Sequence, residues 1–213
     1  MLLLFHDMRS TIQKFDKLLI DMKRNPYLRV SNGLIGKSTN IRLKEIILKS
    51  IDFKLNEMIH EFYDSISSVK IRWECDLNAH SEIQKYDKND EQLYGEININ
   101  TLGKMVLFDS ALDNEYWTAN FEKDGWEDLK QFRVFEKHDE YRKVGFLIEN
   151  NFIDTNLYSL EKGATGFSTF PLNFEEYLDK LIEFKGFLGW RYNIIDTKGE
   201  DYKRMIYYLN QIF

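Results

Sequence analysis

The stretch that decides the fold is VKIRWECDLN, Val69 to Asn78. Val69, Ile71, Trp73, Cys75 and Leu77 alternate with Lys70, Arg72, Glu74, Asp76 and Asn78. Successive side chains of a strand point to opposite faces, so this pattern describes a strand with one wall in a core and one wall in water. Just upstream, Leu55, Met58, Ile59, Phe62 and Ile66 fall on one side of a helix expected from about Lys54 to Ser65, so a helix leads into the strand. Downstream, in GEININ, Ile97 and Ile99 face one way and Glu96, Asn98 and Asn100 the other, which repeats the polar wall of the Trp73 strand. Further strands are expected at Tyr94 to Leu102, Lys104 to Phe108, Phe132 to Phe135, Val144 to Ile148 and Asn156 to Leu160. Turn residues such as Asp124-Gly125 and Asn150-Asn151 separate them, with no helical pattern of the kind a βαβ crossover needs. The sheet is therefore expected to be mostly antiparallel.

Helical periodicity frames this sheet. Phe5, Met8, Ile12, Phe15, Leu19 and Met22 recur at three- and four-residue steps and predict an opening amphipathic helix that Asn25-Pro26 stops. Thr39 or Asn40 can cap a second helix, with Leu43, Ile46 and Ile47 on its apolar stripe up to about Ser50. Asn173 with Glu176 makes a capping-box start for a helix lined by Phe174, Tyr177, Leu178, Leu181, Ile182 and Phe184 that ends before Gly186. A last helix from about Glu200 carries Tyr202, Met205, Ile206, Leu209 and Phe213. Helices at both ends with a meander between them describe an α+β fold, read as a single domain over residues 1–213.

The 213 residues are 43% apolar and 15% aromatic, enough to fill a sizeable core. A formal net charge of −6 argues against a nucleic-acid or anionic-membrane partner, which the average surface would repel, and favours a basic one. Cys75 is the only cysteine, so an intramolecular disulfide and a cysteine-based zinc cluster are both excluded, which fits a cytoplasmic location. MLLLF is too short for a signal-peptide core, and no later apolar run approaches membrane-spanning length.

Catalytic motifs are sparse. SNGLIGKST, Ser31 to Thr39, places Gly36-Lys37-Ser38 between strand-like Tyr27 to Val30 and a helix, the setting in which backbone amides and a lysine cradle phosphates. KMVLFD, Lys104 to Asp109, resembles the apolar strand that carries a magnesium-binding aspartate in such enzymes. The parallel βαβ alternation that this site requires is missing, and a capped helix start after a loop accounts for the same residues. His6, His60, His80 and His138 are scattered, with no pair at helical ligand spacing, so no metal is expected and no other cofactor either. Cys75 points to the core, where a thiol stays protonated and makes a poor nucleophile. Trp73 and Trp190 are read as core residues. Trp117 and Trp126 lie in an acid-rich stretch, DNEYWTANFEKDGWEDL, where an indole either plugs the core or offers an anchor to a partner.

The order of elements carries a resemblance. NEMIHEFYDSI, a turn, KIRWECD, GEININTL, VGFLIEN, DTNLYSL and NFEEYLDKLIEFKGFLGW, in that sequence, resemble the SUKH superfamily of Smi/Knr-type cell-wall assembly regulators and bacterial immunity proteins. The resemblance covers roughly residues 40 to 195. Lys54-Leu55-Asn56 stands where the pattern often has a proline, and Ser67-Ser68 where it often has an asparagine-glycine turn.

The resemblance implies a SUKH-like α+β domain that binds another protein and catalyses nothing. Relatives of this kind in bacteria typically neutralise polymorphic or contact-dependent toxins, often nucleases, by direct binding in the cytoplasm. An acidic inhibitor suits a basic nuclease surface. The expected partner-binding surface is the polar sheet face, Glu74, Asp76, Glu96 and Asn98, with the acidic stretch holding Asp109, Asp113, Glu115, Trp117 and Asp124. Two other readings remain open at this level: a regulatory scaffold of the yeast type, and a nucleotide-dependent enzyme using Lys37 and Ser38.

Overall fold

The alternation of the Trp73 stretch is realised as a long strand. In a computed structural model, which describes residues 8–107, 127–137, 142–161 and 167–213, β3 (Ile66–Asp76) buries Val69, Ile71, Trp73 and Cys75 and turns Lys70, Arg72 and Asp76 to solvent. It lies between β1 (Arg29–Lys37) and β4 (Gln92–Ile99), antiparallel to both. The sheet continues through β5 (Phe132–Lys137) and β6 (Arg142–Glu149), and β8 (Asn156–Glu161) and β9 (Ser168–Asn173) branch from β6. The hairpin to β7 (Phe152–Ile153) turns on Asn150 and Asn151, both at positive φ, as a tight primed turn requires. β7 pairs in parallel with β2 (Lys54–Leu55), the one parallel contact among the described strands. The chain is therefore α+β, with a nine-stranded, mostly antiparallel sheet between an N-terminal helix and C-terminal helices.

β4 joins β5 only at Ile99 and Glu136. The rest of that β4 edge is satisfied by the turn at 186–188: Glu96 N–H donates to the Gly186 carbonyl at 2.8 Å and Leu188 N–H to the Tyr94 carbonyl at 3.0 Å. Gly186 sits at φ +64, and a Cβ there would meet the Glu96 carbonyl oxygen at 2.6 Å, so the approach requires glycine.

Helices supply the other wall of the core. α1 (Met8–Arg24) buries Phe15, Leu18 and Met22, and α3 (Glu57–Ser65) buries Ile59, Phe62 and Tyr63. α5 (Phe174–Glu183), after the short α4 (Leu102–Val106), buries Phe174, Tyr177, Leu178 and Leu181. Its N-terminus is a complete capping box, in which Asn173 and Glu176 each receive the other's backbone N–H. α6 (Trp190–Asn193) buries Trp190, and α7 (Glu200–Ile212) buries Met205, Tyr208 and Ile212. α2 (Ile41–Lys49) differs from the rest in burying nothing. A second, smaller cluster of Leu129, Phe132, Val134 and Leu160 stands apart from the main core, with Phe167 stacked on Phe132.

Several local expectations are corrected. Ser31 to Lys37 form strand rather than a phosphate-holding loop, because Asn32 to Ile35 pair with Arg72 to Val69. At the helix beyond, the Asn40 side chain already accepts from Arg42 and Leu43 N–H and so occupies amides that a phosphate would need. Lys104 to Val106 belong to α4 rather than to a strand: Thr101 caps the helix at Lys104, and Leu102, Met105 and Val106 share its buried side. The third helix begins at Glu57 behind an Asn56 cap, and Lys54-Leu55 leave it for β2. Ser67-Ser68 make no turn, since helix passes to strand at Ile66. Phe5, Phe108, His6, His138, Trp117, Trp126 and the Asp124-Gly125 turn lie outside the described residues.

Candidate partner-binding face

The polar wall of β3 and β4 is assembled by register. Across the antiparallel pair, Lys70 stands beside Asn98, Arg72 beside Glu96, Glu74 beside Tyr94 and Asp76 beside Gln92. β1 extends the wall, with Arg29 beside Glu74, Asn32 beside Arg72 and Leu34 beside Lys70. Glu74, Asp76, Glu96 and Asn98 thus share one face, as the alternation requires. Asp109, Asp113, Glu115, Trp117 and Asp124 lie outside the described residues.

The face is not uniformly acidic. Arg29, Lys70 and Arg72 stand among Glu74, Asp76 and Glu96. Arg29 forms an ion pair with Glu74, and Arg72 lies 3.8 Å from Glu74 and 3.9 Å from Glu96. The anions concentrate toward one end. There Glu74 and Asp76, two residues apart on the same side of β3, help to line an open groove of about 410 Å³ with Tyr27, Arg29, His80 and Gln92. Asp76 Oδ1 accepts the Asn78 N–H at 2.9 Å, which holds the carboxylate in place at the strand end. The Tyr27 and His80 rings meet edge to face at 5.3 Å and close one side, with His80 Nδ1 3.7 Å from Glu82. Two exposed apolar groups complete the face, Tyr94 (40%) over the groove's side of β4 and Leu34 (54%) at the far end of β1.

Chemically, the groove offers carboxylates, a phenol and an imidazole to a cation of side-chain size. The Cys75 thiol is turned into the core from the same strand, and its burial, with Asp76 and Glu82 adding to it, pushes its pKa up to about 11. Among the described residues no three His, Cys, Asp or Glu side chains group as metal ligands do. Lys37, at the end of β1, faces none of the groove residues named above.

A buried charge network lies elsewhere, in the core. Glu136 is buried and pairs with the Arg191 guanidinium, while Arg191 Nε donates to the Tyr177 hydroxyl at 2.7 Å and that hydroxyl donates to Glu136. Burial works against the Arg191 charge, but Glu136 and Tyr177 outweigh it and leave the guanidinium firmly protonated; burial raises the Tyr177 hydroxyl well above its ordinary range. This set ties α5 and α6 to β5. A cavity of about 150 Å³ adjoins Arg191 between β6, β8 and β9.

Tyr27, Arg29, His80 and Gln92 were not legible as site residues. The pairing of β1 with β3 and β3 with β4 brings Arg29 and Gln92 beside Glu74 and Asp76, and the turns flanking β1 and β3 add Tyr27 and His80, which no local pattern encodes. No protein-family model matches this chain, and a search of the curated proteins finds no match. No helix among the described residues is long and apolar enough to cross a membrane.

Proposed function

We propose that this chain is a non-enzymatic immunity protein of the SUKH type, which neutralises a basic cognate toxin in the cytoplasm by seating it on the face of β1, β3 and β4. The observation that carries the proposal is the groove walled by Glu74 and Asp76. It is large enough for a lysine or arginine side chain, and it sets Asp76 beside Glu74, whose carboxylate is already paired with Arg29 of the groove wall. A cationic anchor inserted there would meet Asp76 and compete with Arg29 for Glu74. Tyr94 and Leu34 give the same face apolar contact area around the charged centre. The net charge of −6 supports attraction of a basic partner at long range, with Glu74 and Asp76 fixing its orientation at contact. The order of sequence motifs, which resembles the immunity proteins of that superfamily, supports the same reading.

Co-expression with the toxin encoded by a neighbouring gene tests it. Growth is expected to be rescued and the two proteins to co-purify; failure of both with a toxin that kills alone would refute it. If the chain instead acts as a regulatory scaffold of the yeast type, it will capture a cellular protein in a cell that holds no such toxin, and toxicity will be unaffected.

A further inference from the structure

α2 is the only helix among the described residues with no buried side chain, yet its sequence, IRLKEIILK, is rich in large apolar residues. Ile41 is 72% exposed, Leu43 52% and Ile46 65%. Leu43 and Ile46, three residues apart, share one side of the helix, so their exposed surfaces adjoin rather than scatter. The charges around them have an order. Arg42, Ile46 and Lys49 recur at i, i+4 and i+7 and form an exposed stripe that is basic at both ends. On α3, Glu57, Glu61 and Asp64 recur at the same spacing and form an exposed acidic stripe.

The two helices are tied to each other. Thr39 N–H donates to the Tyr63 carbonyl at 3.3 Å, and Lys44 on the inner side of α2 pairs with Asp64 and reaches the His60 carbonyl. Basic and acidic residues are equal in number from Lys37 to Asp64, in a chain whose net charge is −6. Here, then, two copies can meet without the repulsion that the average surface imposes.

We infer that the α2–α3 surface is a two-fold interface between copies of this chain, with Leu43 and Ile46 at its centre. A two-fold contact requires a patch that carries its own complement, so that whatever residue i meets on its partner, i also offers in return. α2 supplies exposed apolar and basic residues and α3 exposed acidic ones, and the Lys44–Asp64 pair links the two helices, so together they carry both halves of such a patch. With the partner turned about a two-fold axis, the basic stripe of each copy lies against the acidic stripe of the other. The patch shares no residue with the groove of Glu74 and Asp76, so a dimer would keep both toxin-binding faces open.

Sedimentation equilibrium of the full chain over a wide concentration range tests the inference. The expected mass rises from the 25.6 kDa of one chain toward its double. Ile46→Glu, at a position 65% exposed and so tolerant of a polar side chain, is expected to stay at the single-chain mass with unchanged circular dichroism. Arg42→Glu is expected to weaken association by roughly tenfold, and Glu61→Arg added to it to restore it. A wild-type chain that stays monomeric at the highest concentration overturns the inference. So does a dimer indifferent to Ile46→Glu and to the charge exchange, or binding of anionic phosphatidylserine vesicles through these residues in place of self-association.

Discussion

At the scale of single residues, two positions carry more than their size suggests. Gly95 lies opposite Trp73 in the β3–β4 register, and a Cβ there would fall 2.4 Å from the indole Nε1. That indole N–H is committed to the Lys185 carbonyl at 2.7 Å, so the ring has no easy retreat. Gly95→Ala is expected to cost about 1–3 kcal/mol in urea unfolding, the usual penalty for overpacking a full core. Glu136 is the second. Glu136→Ala would remove the buried carboxylate that balances the Arg191 guanidinium, at a cost of about 3–5 kcal/mol. Replacing the pair together, Glu136→Leu with Arg191→Met, is expected to cost much less, because neither charge of the pair is then left buried without the other. Chemical denaturation of the three proteins decides this; equal losses for the single and double variants would mean that the pair is not what holds β5 to α6.

At the scale of elements, α7 depends on one carboxylate in the loop before β4. Arg204 donates to Asp90 through Nη2 at 2.5 Å and Nε at 3.1 Å, and the Tyr208 hydroxyl donates to the same side chain. Burial alone would raise the Asp90 pKa, but hydrogen bonds from Tyr208, Arg204 and the Asp87 backbone outweigh it and hold the carboxyl below its ordinary value. The folded pKa is thus lower than the unfolded one. The associated stability is fully present above the unfolded value and is lost as the pH falls through the folded one, a window that opens below about pH 4. Melting temperatures measured across that range are expected to fall less steeply for Asp90→Asn than for the wild type, with the variant already less stable at pH 7. Parallel curves would show that Asp90 does not bind α7.

The same scale shows what the sequence could convey. Val69 to Asp76, the Asn173–Glu176 cap and the stripes of α1, α3 and α7 were readable because each is written in consecutive residues with a period of two or near 3.6. Lys104 to Val106 were not, since a short apolar run has no period, and Thr101 became a cap only once the chain had folded. β2 and β7 are two residues each and exist only because they find one another. Ser31 to Lys37 read as a loop because serine, asparagine and two glycines favour turns, and the pairing with β3 overrode that preference.

At the scale of the whole molecule, the alternation in β3 and β4 did convey that Glu74, Asp76, Glu96 and Asn98 share a face. It did not convey that Arg29 joins them or that Tyr27 and His80 build the groove, because those neighbours come from another strand and from loops. The face is therefore a matched charge pattern with one acid-walled recess, and specificity for a partner would reside in that recess. Isothermal titration of the purified chain against an inactivated form of the proposed partner, a toxin encoded by a neighbouring gene, tests this most directly. Saturable binding is expected for the wild type, weakened by at least about tenfold in Asp76→Lys, which places a cation where the toxin's cation should sit. Absence of binding by the wild type, or equal affinity for the variant, would contradict the account.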